Sequence, residues 1–422
     1  MKKVLHLLSQ RPSLTGSGIT LDSFVRHASA AGWDQRVVIG VPADDPSPPV
    51  GGLDDAHIVP LLFEQGPLDF PLPGMSDVMP YRSSRYSSLT AEELARYRAA
   101  WRSHVARAIR DFEPDLIHSH HVWILSALVK EIAPTVPVVT QCHATGLRQM
   151  VLCDHLADEV RAGCARNDRF LVLRNDHAEE LAQALGLARE RIDVIGAGYR
   201  EDIFHLRGRK RQPHAGREPA APRLLYVGKF SNAKGLPYLL DAVERLAGRF
   251  GDLELHVAGS GAGPEADRLR ERMDAMGPRV VVHGQLSQTE LAELARRCAV
   301  CVLPSFYEGV PLVLVEAFAC GCRIVSTDLP GVREQIAPHL GPLLEPVALP
   351  RLVGVDTPHP DDLPAFVVRL ADAIATALEK PPIDASTAPM ESVLGPFRWK
   401  AVFDRVESVW KELIESRAKD DG

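Results

Sequence analysis

Short apolar runs without alternation recur along the first half of the chain, at 4–8, 36–39, 116–118, 136–140 and 170–173. Such runs are typical of parallel strands that are buried on both faces. Between them lie segments of helical period, such as 91–112, in which apolar residues recur every three to four positions. The alternation of the two patterns predicts a βαβ sheet.

The same pattern restarts after a polar, basic, proline-containing stretch that suits a linker. The second series of predicted strands lies at 224–227, 253–258, 280–283, 300–303 and 323–326. We therefore predict an α/β chain of two Rossmann-like, doubly wound parallel-sheet domains. The N-terminal domain covers 1–205, a linker covers 206–222, and the C-terminal domain covers 223–396.

Two further segments affect the domain plan. The stretch 340–360 is rich in proline and lacks a clear period, so we predict a long connection there. The last segment, 397–418, has a helical pattern with large apolar residues that include Phe397, Trp399 and Trp410. We expect this helix to complete the N-terminal domain and to bury these side chains.

Composition narrows the class of protein. The chain has 422 residues, of which 45% are hydrophobic and 24% are charged, and its formal net charge is -7. This balance is typical of a globular protein and argues against nucleic acid as a partner. The first apolar run is too short for a secretion signal, and no later run has the length of a membrane span. We therefore predict a cytoplasmic protein.

Cysteine spacing raises the question of a metal. Cys298, Cys301, Cys320 and Cys322 are spaced somewhat like a zinc site, but no histidine pair accompanies them. The chain has seven cysteines, an odd number that does not suggest a disulfide framework. We expect buried thiols and no metal.

Candidate chemistry in the first domain lies just after predicted strands. Ligands of open α/β sheets bind beyond the carboxyl ends of the strands, so the expected site is the cleft between two facing sheets. Gly16 and Gly18 lie in a turn before a helix, where backbone N–H groups can approach an anion. His143 follows a strand and Arg148 comes soon after it, although a lone histidine is as often structural.

Three other histidines, His118, His120 and His121, lie at and just after the end of the predicted strand at 116–118. Adjacent residues on an extended chain point to opposite faces of a sheet. We therefore do not predict a metal site at these histidines.

Two lysines lie between the first strand of the second domain and the helix after it. Lys229 and Lys234 are close enough in sequence to reach one ligand, and their charge would stabilise a departing diphosphate. The alternative is that both are ordinary surface lysines.

The segment 304–317 is the most informative part of the chain. Glu308 precedes a helix that we predict to begin near Pro311, and Glu316 lies within that helix. The backbone of this turn, Gly309, Val310, Pro311 and Leu312, is expected to face a phosphate or sugar with its free N–H groups. Glu316 has apolar neighbours, so its carboxylate needs a hydrogen-bonding partner, for which ribose hydroxyls are suitable.

Taken together, these motifs resemble those of the family 4 glycosyltransferases of the GT-B fold. The resemblance rests on the glycine turn at 16–18, the His143 strand end, the 195–199 segment, the two lysines, and the spacing from Glu308 to Glu316. It spans most of the chain. The sequence departs from the common pattern at Lys229, where many relatives have arginine.

The resemblance implies a role for each matching position. Glu316 would hold the ribose, Lys229 and Lys234 the donor diphosphate, and residues 309–312 the sugar and phosphate. Glu308 would lie against the donor sugar. His143 would reach the sugar from the first domain, and Gly16 and Gly18 would close over the phosphates. Arg148 is a candidate for contact with the acceptor.

The implied reaction is the retaining, metal-independent transfer of a hexose-type sugar from a nucleotide-sugar, with a UDP-sugar preferred, to an acceptor hydroxyl. The donor is a co-substrate, and no other cofactor is required. The acceptor is a small molecule, a glycan or a lipid-linked saccharide. A GT-B nucleotide-sugar epimerase and a noncatalytic nucleotide-sugar-binding subunit are the alternatives. A peripheral contact with the inner membrane face stays open, and the oligomeric state is not predicted.

Overall fold

The computed structural model describes residues 2–12, 15–76, 79–143, 145–207, 221–383 and 390–420. The chain divides into two compact units: an N-terminal unit of Met1–Gly196 with Trp399–Gly422, and a C-terminal unit of Ala197–Arg398. Most of the predicted linker, 206–222, lies outside the described residues, so its assignment stays a prediction.

The N-terminal unit is built on a seven-stranded sheet in the order β3-β2-β1-β6-β7-β8-β9. All its strand pairs are parallel. The strands are β1 (Lys3–Leu8), β2 (Asp34–Pro42), β3 (Ile58–Phe63), β6 (Leu116–His120), β7 (Val138–Gln141), β8 (Arg169–Val172) and β9 (Ile192–Val194). A small separate pair joins β4 (Pro73–Gly74) to β5 (Ser84–Arg85).

Helices connect these strands, as parallel pairing requires. They are α1 (Gly16–Ala30), α2 (Ala91–Phe112), α3 (Ile124–Ile132), α4 (Thr145–Leu152), α5 (Asp154–Cys164) and α6 (Asn175–Leu185). Helix α2 begins at a capping box in which the Thr90 hydroxyl accepts from the Glu93 N–H and the Glu93 carboxylate accepts from the Thr90 N–H. Its apolar stripe packs in the core of the unit through Tyr97, Trp101 and Val105.

The C-terminal unit repeats the plan with a six-stranded sheet in the order β12-β11-β10-β13-β14-β15. Its strands are β10 (Arg223–Val227), β11 (Glu254–Ala258), β12 (Val280–Gly284), β13 (Val300–Leu303), β14 (Arg323–Thr327) and β15 (Leu344–Val347), all paired in parallel. Its helices are α7 (Leu236–Leu246), α8 (Pro264–Ala275), α9 (Gln288–Ala295), α10 (Leu312–Ala319), α11 (Pro330–Gln335), α12 (Ala337–Leu340), α13 (Leu363–Glu379) and α14 (Met390–Leu394).

The two parallel sheets confirm the predicted fold class of Rossmann-like domains. In each sheet the strand order reverses at one place, between β1 and β6 in the first sheet and between β10 and β13 in the second. Ligands of open α/β sheets bind at such a switch point, beyond the carboxyl ends of the two strands. Each unit therefore has one favoured place for a ligand.

The prediction of a long connection over 340–360 is wrong in part. Strand β15 (Leu344–Val347) forms there and pairs with β14 at the edge of the sheet. Pro346 lies inside β15, and proline is tolerated in an edge strand because one side of that strand needs no ladder hydrogen bond. The proline content therefore concealed a strand.

The last helix, α15 (Trp399–Asp420), belongs to the N-terminal unit, although it is the end of the chain. Trp399 and Trp410 are buried against Phe24 of α1 and Trp33, as predicted. Phe397 is also buried, but within the core of the C-terminal unit. The Tyr199 N–H donates to the Phe397 carbonyl at 2.9 Å, which ties the two ends of that unit together.

All seven cysteines are buried thiols outside any disulfide bond, as the sequence predicts. Cys301 lies in β13, and burial raises the pKa of its thiol well above the ordinary value. The thiols therefore pack as small apolar side chains.

Candidate functional site

The segment after β13 meets the turn after β10 at the switch point of the second sheet. The Phe306 N–H donates to the carbonyl of Ala233 at 2.9 Å, which fixes the two loops to each other. The Thr327 hydroxyl donates to the carbonyl of Ser305 from the end of β14. The Phe306–Ala233 bond thus holds the predicted lysine turn beside the predicted glutamate loop, and the Thr327 bond fixes that loop to the end of β14.

Lys234 and Glu308 form an ion pair within this frame. The Lys234 Nζ lies 2.7 Å from Glu308 Oε1, and both side chains are largely buried. Ser305 Oγ donates to the same carboxylate oxygen at 2.8 Å, and Lys234 Nζ also donates to the Tyr307 carbonyl at 3.3 Å. The sequence predicted Lys234 and Glu308 separately, and the structure brings them into contact.

Gly235 allows the lysine turn to pack closely against the start of the glutamate loop at Pro304. Its φ is +70°, and a Cβ added there would lie 2.1 Å from the Pro304 carbonyl oxygen. The left-handed conformation and the lack of a side chain both favour glycine. Gly235 lies between Lys234 and the start of α7, so its backbone conformation sets the direction in which the chain at Lys234 enters the helix.

Glu316 lies on α10, half-buried among apolar residues that include Leu314, Val315 and Phe318. Burial raises the pKa of its carboxyl group to about 7. Its carboxylate makes no hydrogen bond or ion pair within the described part of the chain. A desolvated carboxylate without a protein partner is well suited to accept hydroxyl protons from a ligand.

The turn before α10 differs from the expected row of free N–H groups. The helix begins at Leu312, and the Leu312 N–H already donates to the Val310 carbonyl at 2.9 Å. Pro311 has no N–H, so it can contact a ligand only through its ring or carbonyl. Leu312 and Pro311 therefore contribute no free N–H group to the predicted donor set.

Lys229 is separate from the ion pair. Its side chain is exposed and makes no ion pair with any described residue. Its carbonyl accepts a hydrogen bond from the Tyr226 hydroxyl at 2.8 Å, so the backbone there is fixed while the ammonium stays in solvent.

The predicted glycine turn of the N-terminal unit forms the first turn of α1. The Thr15 hydroxyl caps this helix by accepting from the Gly18 N–H at 3.2 Å, so that N–H is not free for an anion. Gly16 is exposed at the helix start. Ser17 Oγ donates to Gln10 Oε1 at 3.0 Å, which connects the turn to the end of β1.

His143 lies just after β7 and is linked to other histidines. Its Nε2 is 3.1 Å from Nδ1 of His120, and the two rings are stacked. The His121 ring lies 4.7 Å from the His143 ring, and His121 also hydrogen-bonds to Gln10 and Thr145. Burial lowers the pKa of His143 to about 3, so the imidazole is neutral near pH 7.

Arg148 is exposed on α4, beside Val151 and Leu152, which are also exposed. This placement leaves its guanidinium accessible to a ligand. Its assignment to the acceptor stays a prediction.

Sequence reasoning missed Ser305, Gln10 and Thr145. Each holds a predicted site residue or its neighbour through a side-chain hydrogen bond. Only their position just after β13, after β1 and at the start of α4 could have identified them.

Two family patterns match the sequence. Residues 14–202 match the family described as Glycosyltransferase Family 4, and residues 221–350 match that described as Glycosyl transferases group 1. The two matches fall on the two structural units.

Curated relatives match part of the chain. A glycogen synthase of Mycobacterium tuberculosis is 30% identical over 237 residues, which cover 54% of this chain and 55% of the relative. A D-inositol 3-phosphate glycosyltransferase 2 of Catenulispora acidiphila is 31% identical over 278 residues, which cover 60% of this chain and 64% of the relative. The chain thus spans little more than half the length of these relatives.

Solved structures match nearly the whole chain. Sucrose-phosphate synthase from Thermosynechococcus elongatus superposes with a TM-score of 0.66 at 18% identity, covering 99% of this chain and 100% of the other. Anabaena HepE in complex with UDP and glucose gives a TM-score of 0.60 at 15% identity, covering 98% and 100%. These likenesses establish the GT-B fold.

Proposed function

Because this chain belongs to glycosyltransferase family 4, we propose that it transfers a hexose-type sugar from a nucleoside-diphosphate sugar to an acceptor hydroxyl. The observation that supports this most directly is the meeting of Lys234 with Glu308 at the switch point between β10 and β13. Lys234 follows β10, and Glu308 and the desolvated Glu316 follow β13. A nucleotide is expected to bind beyond the ends of these two strands.

In the proposed reaction, Lys234 stabilises the diphosphate that departs from the anomeric carbon. Its ion pair with Glu308 holds the ammonium in place before the donor binds, and the diphosphate then takes over part of that interaction. Lys229, which is exposed, supplies a second positive charge. Glu316 accepts hydrogen bonds from the ribose hydroxyls, and the backbone of residues 309–312 contacts the phosphate and sugar.

The N-terminal unit would supply His143 and the turn of Gly16 and Gly18. A neutral His143, held by His120, can donate or accept a hydrogen bond at a sugar hydroxyl but carries no charge. We assign Glu308 a positioning role beside the donor sugar because its carboxylate is engaged by Lys234 and Ser305.

We also propose that the reaction retains the anomeric configuration, with the acceptor attacking from the face that the diphosphate leaves. The departing phosphate then serves as the base for the acceptor hydroxyl. A UDP-sugar is the preferred donor, in line with the UDP and glucose found in Anabaena HepE. The lysines supply positive charge at the diphosphate, so the proposed step needs no metal ion there.

We expect the protein to act in the cytoplasm. None of the described helices combines the length and apolar character that crossing a bilayer requires. Arg148 with Val151 and Leu152 gives α4 a surface that suits an acceptor with a lipid or saccharide portion.

The test is a thermal-shift screen of the full chain against nucleotide sugars, followed by transfer assays with the stabilising donor. We expect Lys234→Ala to lower the transfer rate by about 100-fold or more. Lys400→Ala, which removes an exposed lysine of α15, is the matched control and should keep full activity. Undiminished turnover in Lys234→Ala would overturn the diphosphate assignment.

A further inference from the structure

Three buried histidines share one face of the N-terminal sheet. His118 and His120 are two positions apart in β6, so their side chains point to the same side. His6 in β1 is the register partner of His118. The sequence argument that adjacent histidines diverge applies to His120 and His121, but it overlooked the pair at alternate positions and the neighbouring strand.

The three side chains converge on one point. His6 and His118 are fully buried and His120 is 1% exposed. One ring nitrogen of each lies within 4.8 Å of those of the other two. Phe24 and Trp410 pack around the rings, so the cluster lies in an apolar part of the core.

The hydrogen bonds of His6 determine which nitrogen holds its proton. Gln35 Nε2 donates to the Val25 carbonyl at 3.0 Å and to Ser29 Oγ at 2.8 Å. Gln35 Oε1 therefore faces His6 and accepts from its Nε2 at 3.1 Å. A neutral imidazole has one N–H, so Nδ1 of His6 holds a lone pair. That atom is buried and has no partner among the described residues.

The other two histidines also have unsatisfied nitrogens. His120 Nδ1 is bonded to His143, whereas His120 Nε2 has no partner among the described residues. Neither ring nitrogen of His118 has one. Burial lowers the pKa of His6 to about 4 and those of His118 and His120 well below the ordinary value, so all three are neutral. Unpaired buried polar atoms are costly, and here they are concentrated in one place.

We propose that His6, His118 and His120 together bind one transition-metal ion, with zinc(II) as the expected occupant. Neutral imidazoles are ligands for zinc, and three of them leave a fourth position for water. The second nitrogens of His6 and His120 are held by Gln35 and His143, which is the usual support for a metal-binding histidine.

Binding requires a small local rearrangement. Zinc–nitrogen bonds of about 2.0 Å bring tetrahedral ligand atoms to about 3.3 Å from one another. The three nitrogens now lie within 4.8 Å of one another, so they must move closer together. The rings of His118 and His120 are nearly parallel, at 11°, so each must turn about its Cβ–Cγ bond. That torsion is soft for histidine. Loss of a proton from the bound water would reduce the buried positive charge.

The proposed zinc site does not depend on the proposed glycosyl transfer. It lies next to His143, which we assign to the transfer site, because His120 is hydrogen-bonded to His143. The metal would bind Nε2 of His120, which makes its Nδ1–H a stronger donor to His143. The metal would therefore have a structural role and would keep His143 in one orientation.

The test uses the untagged full-length chain, freed of metal with a chelator and then dialysed against zinc(II). We expect one zinc per chain by elemental analysis and an X-ray absorption spectrum with imidazole nitrogens at about 2.0 Å. His118→Gln removes one of the three proposed ligands and should weaken zinc binding by about 100-fold or more. His104→Gln, which changes a buried histidine of α2 outside the cluster, is the matched control and should bind zinc like wild type.

The wild-type spectrum is decisive if His118→Gln fails to fold, because it needs no variant. The proposal is overturned if the wild-type chain binds no zinc when zinc(II) is present at millimolar concentration. In that case a buried water would be the group that satisfies the three nitrogens. It is also overturned if the absorption spectrum shows sulfur ligands, or if folded His118→Gln binds zinc as tightly as wild type.

Discussion

The environment of Glu316 changes the pKa of its carboxyl group and thereby the pH dependence of stability. Its pKa of about 7 arises from burial among apolar neighbours, and no described side chain offsets this desolvation. The folded protein therefore binds the Glu316 proton more tightly than the unfolded chain does. The resulting contribution to stability is fully present below the unfolded pKa, near 4.5, and is lost as the pH rises through about 7.

The first prediction follows from this sign. Glu316→Gln removes the desolvated charge, so we expect it to raise the free energy of unfolding at pH 8 by about 1 to 3 kcal/mol. At pH 4.5, where the wild-type carboxyl is protonated in the folded protein, the variant and wild type should be nearly equal. Denaturant unfolding at the two pH values measures the difference. A stabilisation of equal size at both would contradict the assigned pKa.

The second prediction concerns ligand binding at the same residue. Only the ionised carboxylate accepts hydrogen bonds from both ribose hydroxyls, so donor affinity should fall as the pH drops below about 7. In Glu316→Gln the affinity should be weaker and independent of pH. Calorimetric titration with a UDP-sugar between pH 5.5 and pH 8 tests this, because its diphosphate has no terminal phosphate that titrates in this range. His143 does not confound the measurement, because its pKa is about 3.

At the scale of elements, the strands that the sequence revealed are mostly those inside the sheets. Strands β10 and β13 are largely apolar, as expected for parallel strands that are covered on both faces. Within the two large sheets, the strands that the sequence did not predict, β3, β9 and β15, are all edge strands. Pro60 and Pro346 lie within two of these, and edge positions tolerate proline.

The sequence predicts where the residues of the candidate site lie relative to the strands, but it does not predict which of their side chains are in contact. Lys234, Glu308 and Glu316 follow strands whose order places them at a switch point, and sequence patterns can indicate this. The pair between Lys234 and Glu308 depends on how two loops pack, and the meeting of His6 with His118 depends on strand register. Neither is encoded in local spacing.

The third prediction tests the loop packing that places Lys234. Gly235→Ala introduces a Cβ at φ +70°, within 2.1 Å of the Pro304 carbonyl oxygen. We expect a loss of about 2 kcal/mol or more in the free energy of unfolding, and weaker donor binding because Lys234 is displaced. Gly248→Ala is the control, since a Cβ there meets nothing within 4 Å. Equal stability of the two variants would exclude a tight approach at Gly235.

At the scale of the whole molecule, the chain passes through both units and then returns to the first. Helix α15 adds Trp399, Phe403 and Trp410 to the core beside β1, β6 and α1. Trp33 Nε1 donates to Glu407 at 2.9 Å, which further fixes the helix. Side chains of α15 therefore form part of the core of the N-terminal unit, and we expect the stability of that unit to depend on this helix.

The fourth prediction is that Trp410→Ala destabilises the N-terminal unit selectively. Trp410 is fully buried and contacts His6, Trp33 and Phe403, so its removal leaves a large cavity that should cost about 3 to 5 kcal/mol. Hydrogen exchange read by mass spectrometry should show faster exchange in β1 and β6, with β10 and β13 unchanged. Glu415→Ala, an exposed change on the same helix, should leave both units as in wild type. Faster exchange in β10 and β13 to the same extent would mean that the two units unfold together, and that α15 does not stabilise one of them alone.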